Sequence, residues 1–273
     1  MRGDLHVHST ASDGTLTPSD LVALAVERGL RVLAITDHDS VEGVDEALAA
    51  AEGTELIVVP ALELSAAEQG HDVHMLGYFV RHRDPVLRET LARLRAARLA
   101  RAQTMVEQLS EAGFVVSIDD VLALAEGGAV GRSHVARALV GAGHANDIRD
   151  AFSRLIGRGR PFYVGKEARS AIEAIGIIHE ADGLAVIAHP GVSHDEEIVE
   201  ELVAAGLDGI EAYHADHTPD QRRHFAEVAE RHGLLVTGGT DFHGVDAPNP
   251  RLGDSTLPAE ALEVFLAGAP QHR

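Results

Sequence analysis

Apolar residues recur at two different spacings along the chain, and the spacing changes twice. In the first third, short apolar runs alternate with amphipathic ones. Leu5-His6-Val7 reads as a short strand. Thr17-Pro18 then opens a helix, with Thr17 as N-cap and Pro18 at the first helical position. Leu21, Leu24 and Ala25 give that helix its apolar spacing, and Gly29 stops it. Val32 to Thr36 is a predicted strand, Val44 to Ala51 a helix, and Leu56 to Leu62 and Val73 to Val80 two further strands. Strands alternating with helices imply parallel pairing across helical crossovers.

From about Arg83 to Arg160 the period is helical throughout. Leu87, Leu91, Leu94, Met105 and Leu109 mark one long helix. Val121 to Ala125, Val135 to Val140 and Ile148 to Ile156 mark three shorter ones, punctuated by Gly127-Gly128, Gly141 and Gly143. After Pro161 the alternation returns. Ala171 to Glu180, Glu196 to Ala205 and Asp220 to Arg231 read as helices; Leu184 to Ala188, Gly209 to Tyr213 and Leu234 to Thr237 read as strands. The pattern is an α/β domain of residues 1–82 and 161–273, interrupted by an all-helical insertion, residues 83–160.

Composition narrows the function. With 45% hydrophobic and 24% charged residues, the 273-residue chain is of the ordinary globular kind. It has no cysteine, which excludes a disulfide scaffold, a thiolate metal site and a cysteine nucleophile. No apolar run approaches the ~20 residues of a membrane span. The start, Met1-Arg2-Gly3-Asp4-Leu5-His6, has no apolar signal core, so a cytoplasmic protein is expected. The formal charge of −20 disfavours docking on duplex nucleic acid or anionic membrane. That charge is unevenly spread. Residues 81–160 hold 13 arginines against 9 acids, whereas the rest holds 10 basic against 34 acidic residues. An arginine-bearing helical cap over an acidic core is one reading; a solvated helix face (Arg88, Arg93, Arg95, Arg98, Arg101) is the other.

Histidine is abundant, at 17 residues, and its placement matters more than its number. His6 and His8 alternate on one strand and so share a face. Asp13 lies in the following loop. Thr36-Asp37-His38-Asp39 ends the second strand, Glu63 follows the third, and His74 accompanies the fourth. Ala188-His189-Pro190, Glu211 to His217, and Asp241-Phe242-His243-Gly244 follow the later strands. Strand ends of a barrel converge on one mouth, so these residues can meet. Imidazoles and carboxylates without thiolate suit Mn, Fe, Zn, Co or Ni. Six histidines, two aspartates and a glutamate exceed one ion's needs and fit two or three. Clustered cations favour displacement at phosphorus and lower the pKa of bound water.

Asp4-Leu5-His6-Val7-His8-Ser9, Ser12-Asp13-Gly14, Thr36-Asp37-His38-Asp39, Ala188-His189-Pro190 and Asp241-Phe242-His243-Gly244 resemble the four motifs of the PHP (polymerase and histidinol phosphatase) family. The resemblance covers almost the whole chain. It implies a distorted (β/α)7 barrel with a trinuclear metal centre. It also implies roles: His6, His8, Glu63 and Asp241 as ligands of a first metal, Glu63 bridging to a second held by His74 and His189, and Asp13, His38 and His243 as the third set. Asp241 and His217 are the residues it marks as catalytic. His74 is preferred here to the neighbouring His71, and His217 to His214. Asp37, Asp39 and Glu211 are expected to orient ligand histidines.

Gly131-Arg132-Ser133-His134-Val135-Ala136-Arg137 and Phe162-Tyr163-Val164 resemble a branch with a helical insertion that acts on nucleotides. Ser133 stands where that branch usually has proline. Members remove the 3′-phosphate of 3′,5′-bisphosphonucleosides or degrade short 5′-phosphorylated oligonucleotides from the 5′ end, by attack of a metal-activated hydroxide. Arg132, His134, His217 and the single lysine, Lys166, become candidate phosphate contacts. The competing readings are a small-metabolite phosphatase of the histidinol-phosphate type, an amidohydrolase, and a non-catalytic barrel. The amidohydrolase version with a carboxylated lysine lacks a lysine before Lys166, and a decayed scaffold would have lost ligands that are all present.

Overall fold

The computed structural model describes residues 1–68, 71–165, 169–193, 198–244, 251–254 and 257–269. Seven strands form one sheet in chain order: β1 (Gly3–Val7), β2 (Val32–Ile35), β3 (Ile57–Glu68), β4 (His71–Tyr78), β5 (Leu184–Ile187), β6 (Gly209–Glu211) and β7 (Leu235–Thr237). Beyond β7 the backbone turns alongside β1. Leu5 N donates to Gly238 O, Asp241 N to His6 O and His8 N to Phe242 O, at 2.9–3.2 Å. These bonds draw the sheet round into a distorted (β/α)7 barrel. Gly239 is needed for the approach, because a Cβ there would lie 2.3–2.8 Å from His6 atoms.

The pairing departs from the all-parallel expectation. β1–β2–β3 and β5–β6–β7 pair parallel, but β4 is antiparallel to both β3 and β5. β3 also runs to Glu68, past the expected end at Leu62. Apolar alternation is the same in either direction, so periodicity could not reveal the reversal. The reversal has a consequence for the site. The mouth lies at the C-terminal ends of parallel strands, and a reversed strand presents its N-terminal part there. His74, early in β4 and opposite Ser65, is thereby brought to the mouth.

Helices α1 (Pro18–Glu27) and α2 (Val44–Ala51) connect the first strands. Thr17 accepts a hydrogen bond from Asp20 N and Pro18 occupies the first turn, as expected. The insertion follows β4. It comprises α3 (Pro85–Glu111), α4 (Ile118–Ala125), α5 (Arg132–Gly141), α6 (Ile148–Ala151) and a π-helical turn, Phe152–Ile156, with no strand among its described residues. At 27 residues, α3 spans about 40 Å. Its start is fixed by Asp84, whose carboxylate accepts from Val86 N and Leu87 N. Met105, Leu109, Val121, Val135, Leu139 and Ile156 form a core made of insertion residues, separate from the barrel's own clusters.

The chain then returns through α7 (Ala171–Glu180), α8 (Pro190–Ser193), α9 (Val199–Ala204), α10 (Pro219–His232) and α11 (Ala259–Ala267). Capping boxes start α7 at Ser170 with Glu173 and α10 at Thr218 with Gln221. Gly233, with φ of 68°, ends α10. Among the described residues no helix is long and apolar enough to cross a membrane.

Candidate metal centre

The nine residues expected as ligands converge on the barrel mouth, around Glu63. Glu63 is buried, and its two oxygens serve different sides. Oε2 lies 3.5 Å from His6 Nε2, 3.3 Å from His8 Nε2 and 2.9 Å from His38 Nδ1. Oε1 lies 2.8 Å from His74 Nδ1 and 3.5 Å from His189 Nε2. Asp241 Oδ1 sits 3.4 Å from His6 Nε2 and 3.0 Å from His8 Nε2. Asp13 Oδ1 sits 3.3 Å from His243 Nε2 and 3.9 Å from His8 Nδ1. Among the described residues, four candidate ligand sets are drawn from these nine, each gathered within 4.8 Å: His8, Asp13, His38 and His243; His6, His189 and Asp241; His6, His8 and Glu63; His38, Glu63 and His74.

These approaches are close without being hydrogen bonds. Both Glu63 oxygens, Asp13 Oδ1, His6 and His8 Nε2 and His38 Nδ1 are buried and accept or donate none. Each such orphan costs about 1–3 kcal/mol. Shared cations satisfy them together, so the donor set fits divalent metals of the nitrogen- and oxygen-preferring kind. Burial opposes the charge on Glu63, yet His38, His74 and His6 hold its carboxyl well below the usual range. Asp13, against the same burial, is lowered by His243 and His38, and Asp241 by His243 and His6. Buried Glu63 and Asp13 and half-buried Asp241 are thus held toward their ionised forms.

The backbone is strained where these ligands sit. His189 (φ 31°), Asp241 (φ 51°) and Asp39 (φ 49°) adopt left-handed conformations without being glycine. Such residues cost of order 1–3 kcal/mol each and persist where the surroundings over-determine them. Gly14 lets the Asp13 loop fold back, since a Cβ there would lie 2.2 Å from His8 O.

Orienting contacts lie behind the ligands. His6 Nδ1 donates to Glu211, 3.0 Å from both oxygens, which leaves the Nε2 lone pair facing the centre. Glu211 also accepts from His189 N at 2.9 Å. Although burial opposes ionisation, His6 and His214 bring the Glu211 carboxyl down to about 2. Asp37 works at one remove. It accepts from Ser9 and Ser12 hydroxyls, and Ser12 Oγ lies 3.5 Å from His8 Nδ1. Asp39 touches no ligand side chain in this way; it accepts from Ser65 N and Arg98 Nε and so ties β3 to α3.

The expected substrate contacts fare differently. His217 is engaged by backbone on both ring nitrogens: Nδ1 donates to Ala212 O at 2.9 Å, and Nε2 accepts from Gly191 N at 3.1 Å. His214, in the same loop, is placed differently. His214 Nδ1 accepts from Asp216 N, so the hydrogen is on Nε2. That nitrogen is buried and makes no hydrogen bond, and the ring gathers with His6 and Glu211. Burial lowers the His214 imidazole to about 4, so the ring is neutral. His134 is buried at the start of α5. Its Nδ1 accepts from Gly131 N, capping its own helix, and burial brings the ring down to about 4. Arg132 is paired with Asp72 at 2.9 Å and stacked between Phe152 and Tyr163, 5.7 and 5.6 Å from the ring centres. Lys166 lies outside the described residues.

In the sequence Arg101 is one of a row of α3 arginines that reads equally as an anion-facing cap or a solvated face. Arg98 and Arg132, its neighbours, are neutralised by Asp39 and Asp72. Arg101 makes no hydrogen bond or ion pair among the described residues. Burial, with repulsion from Arg132 and Arg98, lowers its guanidinium to about 10. All three arginines line a cavity of about 150 Å³ whose other walls include Asp13, His38, His74 and His243. Arg98 and Arg101 also bound a second cavity of about 340 Å³, walled by Leu94, Ala97, Ala100 and Val164.

A distorted seven-stranded barrel with this mouth defines a metal-dependent hydrolase. The PHP domain model matches residues 4–157. The chain is 37% identical over 246 residues to the 3′,5′-nucleoside bisphosphate phosphatase of Chromobacterium violaceum, covering 88% of this chain and 86% of that protein. It is 36% identical over 247 residues to the 5′-3′ exoribonuclease Rnm of Escherichia coli, covering 88% and 84%. Among solved structures, a Bifidobacterium adolescentis protein described as a metal-dependent phosphoesterase superposes with a TM-score of 0.89 at 37% identity, covering 97% of this chain and 95% of that one. The chain belongs to the PHP family.

Proposed function

We propose that this phosphoesterase acts on nucleotides, removing the 3′-phosphate of 3′,5′-bisphosphonucleosides or degrading short 5′-phosphorylated oligonucleotides from the 5′ end. One observation carries the reading: a single cavity is lined on one side by the histidine–carboxylate cluster and on the other by arginines of the insertion. Two relatives named for these two activities support it. Divalent metals, two or three in number and drawn from Mn, Fe and Zn, supply Lewis acidity and a water of lowered pKa when bound. His6, His8, Asp13, His38, Glu63, His74, His189, Asp241 and His243 would hold them, with Glu63 shared between sets.

The chain's own residues do the rest. Arg101 offers an unneutralised guanidinium to a second phosphate, and Arg98 and Arg132 add positive potential beside it. The apolar walls of the adjoining cavity suit a nucleobase. Glu211 fixes the His6 tautomer, and His214 takes the place beside the centre expected for His217. Residues 83–160 act as the cap domain on a barrel of residues 1–82 and 161–273. The compartment expected for such nucleotides is the cytoplasm. A histidinol-phosphate type of activity is less supported, because a small metabolite leaves the second cavity and Arg101 without a ligand. Rates of phosphate release from adenosine 3′,5′-bisphosphate, 5′-phosphorylated oligoribonucleotides and histidinol phosphate test this. Preference for histidinol phosphate sinks the nucleotide reading.

A further inference from the structure

Asp13 is on a loop after β1, away from the strand end that carries His6 and His8. Its two carboxylate oxygens have different surroundings. Oδ1 faces His243 and His8, is buried and accepts no hydrogen bond. Oδ2 accepts the Ser133 hydroxyl at 2.7 Å. Ser133 belongs to α5 of the insertion, 120 residues away in sequence. One turn further on, Arg137 Nη2 donates to the Asp13 carbonyl. The insertion thus holds both the side chain and the backbone of this residue.

The Ser133 hydroxyl has no other task among the described residues. It does not cap α5, because Gly131 is the N-cap and the His134 ring receives Gly131 N. A carboxylate torsion is soft and roughly two-fold, so an unsecured Asp13 would exchange its oxygens or swing away from the histidines. We propose that Ser133 is a positioning residue. It presents Asp13 Oδ1 to the cluster of His8, His38 and His243, and so makes cation binding there depend on the seated helical insertion. This rests on the reading of Asp13 as a metal ligand.

The test compares full-length wild type with Ser133→Ala, Ser133→Thr and Asp13→Asn. Each protein is stripped with chelator, dialysed against a series of fixed free Mn²⁺ concentrations, and counted for bound metal by mass spectrometry. Melting of the stripped proteins is recorded alongside. Alanine is a strong helix former and leaves α5 intact. Loss of a group that orients a ligand weakens metal binding by about 10- to 100-fold. Ser133→Ala should therefore weaken one equivalent by about tenfold, Ser133→Thr should restore it, and the stripped forms should melt alike. A wild-type titration for Ser133→Ala, with one equivalent missing from Asp13→Asn, overturns the positioning role. So does a stripped Ser133→Ala that melts below wild type, because the bond then serves the fold. Full metal content in Asp13→Asn refutes the ligand reading itself, and the inference with it.

Discussion

Glu63 is the side chain on which the proposed metal centre depends most, because its two oxygens face five histidines between them. Glu63→Gln should lose bound metal and reduce turnover by more than about 100-fold, exceeding the usual cost of an orienting contact. Metal content and activity near those of wild type would remove Glu63 from the centre. Arg101→Ala should raise KM for a bisphosphonucleoside by about tenfold, the loss of one charge-assisted contact, with little change in kcat. An unchanged KM excludes Arg101 from substrate binding. His214 and His217 should separate cleanly. Replacing His217 by alanine frees two backbone groups and should lower stability by about 1–3 kcal/mol. Replacing His214 should reduce activity with less effect on melting, and the reverse outcome would restore His217 to the site. Histidines at strand ends were legible in the sequence because alternation and barrel geometry fix where they point. His214 and His217 were not separable, since they share one loop and only the approach of Gly191 and Ala212 distinguishes them. Arg101 could not be singled out from its row for a related reason: its availability depends on Asp39 and Asp72 having been taken by its neighbours.

At the scale of elements, the local signals read well. Thr17, Pro18 and Gly29 delimit α1 as expected, and the insertion is built of helices and turns with no strand among its described residues. The reversed β4 was hidden, because pairing direction is set by connection geometry and leaves no mark on a period of two. The insertion meets the barrel at α3, where Arg98 pairs with buried Asp39. This contact has a pH signature. Burial opposes the Asp39 charge, but Arg98 and the Ser65 N–H hold its carboxyl below the ordinary 3.8. A depressed carboxyl contributes stability above its unfolded pKa and loses it as pH falls through the lower folded value. In metal-free protein, the stability of wild type relative to Asp39→Asn should level off above about pH 5 and shrink in stronger acid. Urea unfolding across pH 3–8 measures it. A gap that keeps growing above about pH 6 would contradict the assigned ion pair.

The whole molecule carries its charge in two parts. The formal −20 comprises an acidic barrel sequence and an insertion with more arginines than acids. Cations bound at the mouth would offset part of the barrel's charge, and the ions' own charge belongs in any account of the field there. Attraction of a small phosphorylated ligand to the arginine side should weaken with salt, so KM should rise with ionic strength while a less charged phosphomonoester responds less. Stability should also depend on metal. Each site held at 100 times its Kd adds about 2.7 kcal/mol, so chelation should lower Tm and readdition restore it. The most direct test is phosphate release from adenosine 3′,5′-bisphosphate by chelated protein before and after reloading with Mn²⁺. The expected result is no release from the stripped protein and release in proportion to the metal restored. Release that persists at full rate after the metal has been removed, or no turnover after full reloading of either this substrate or a 5′-phosphorylated oligoribonucleotide, would contradict a metal-dependent nucleotide phosphoesterase.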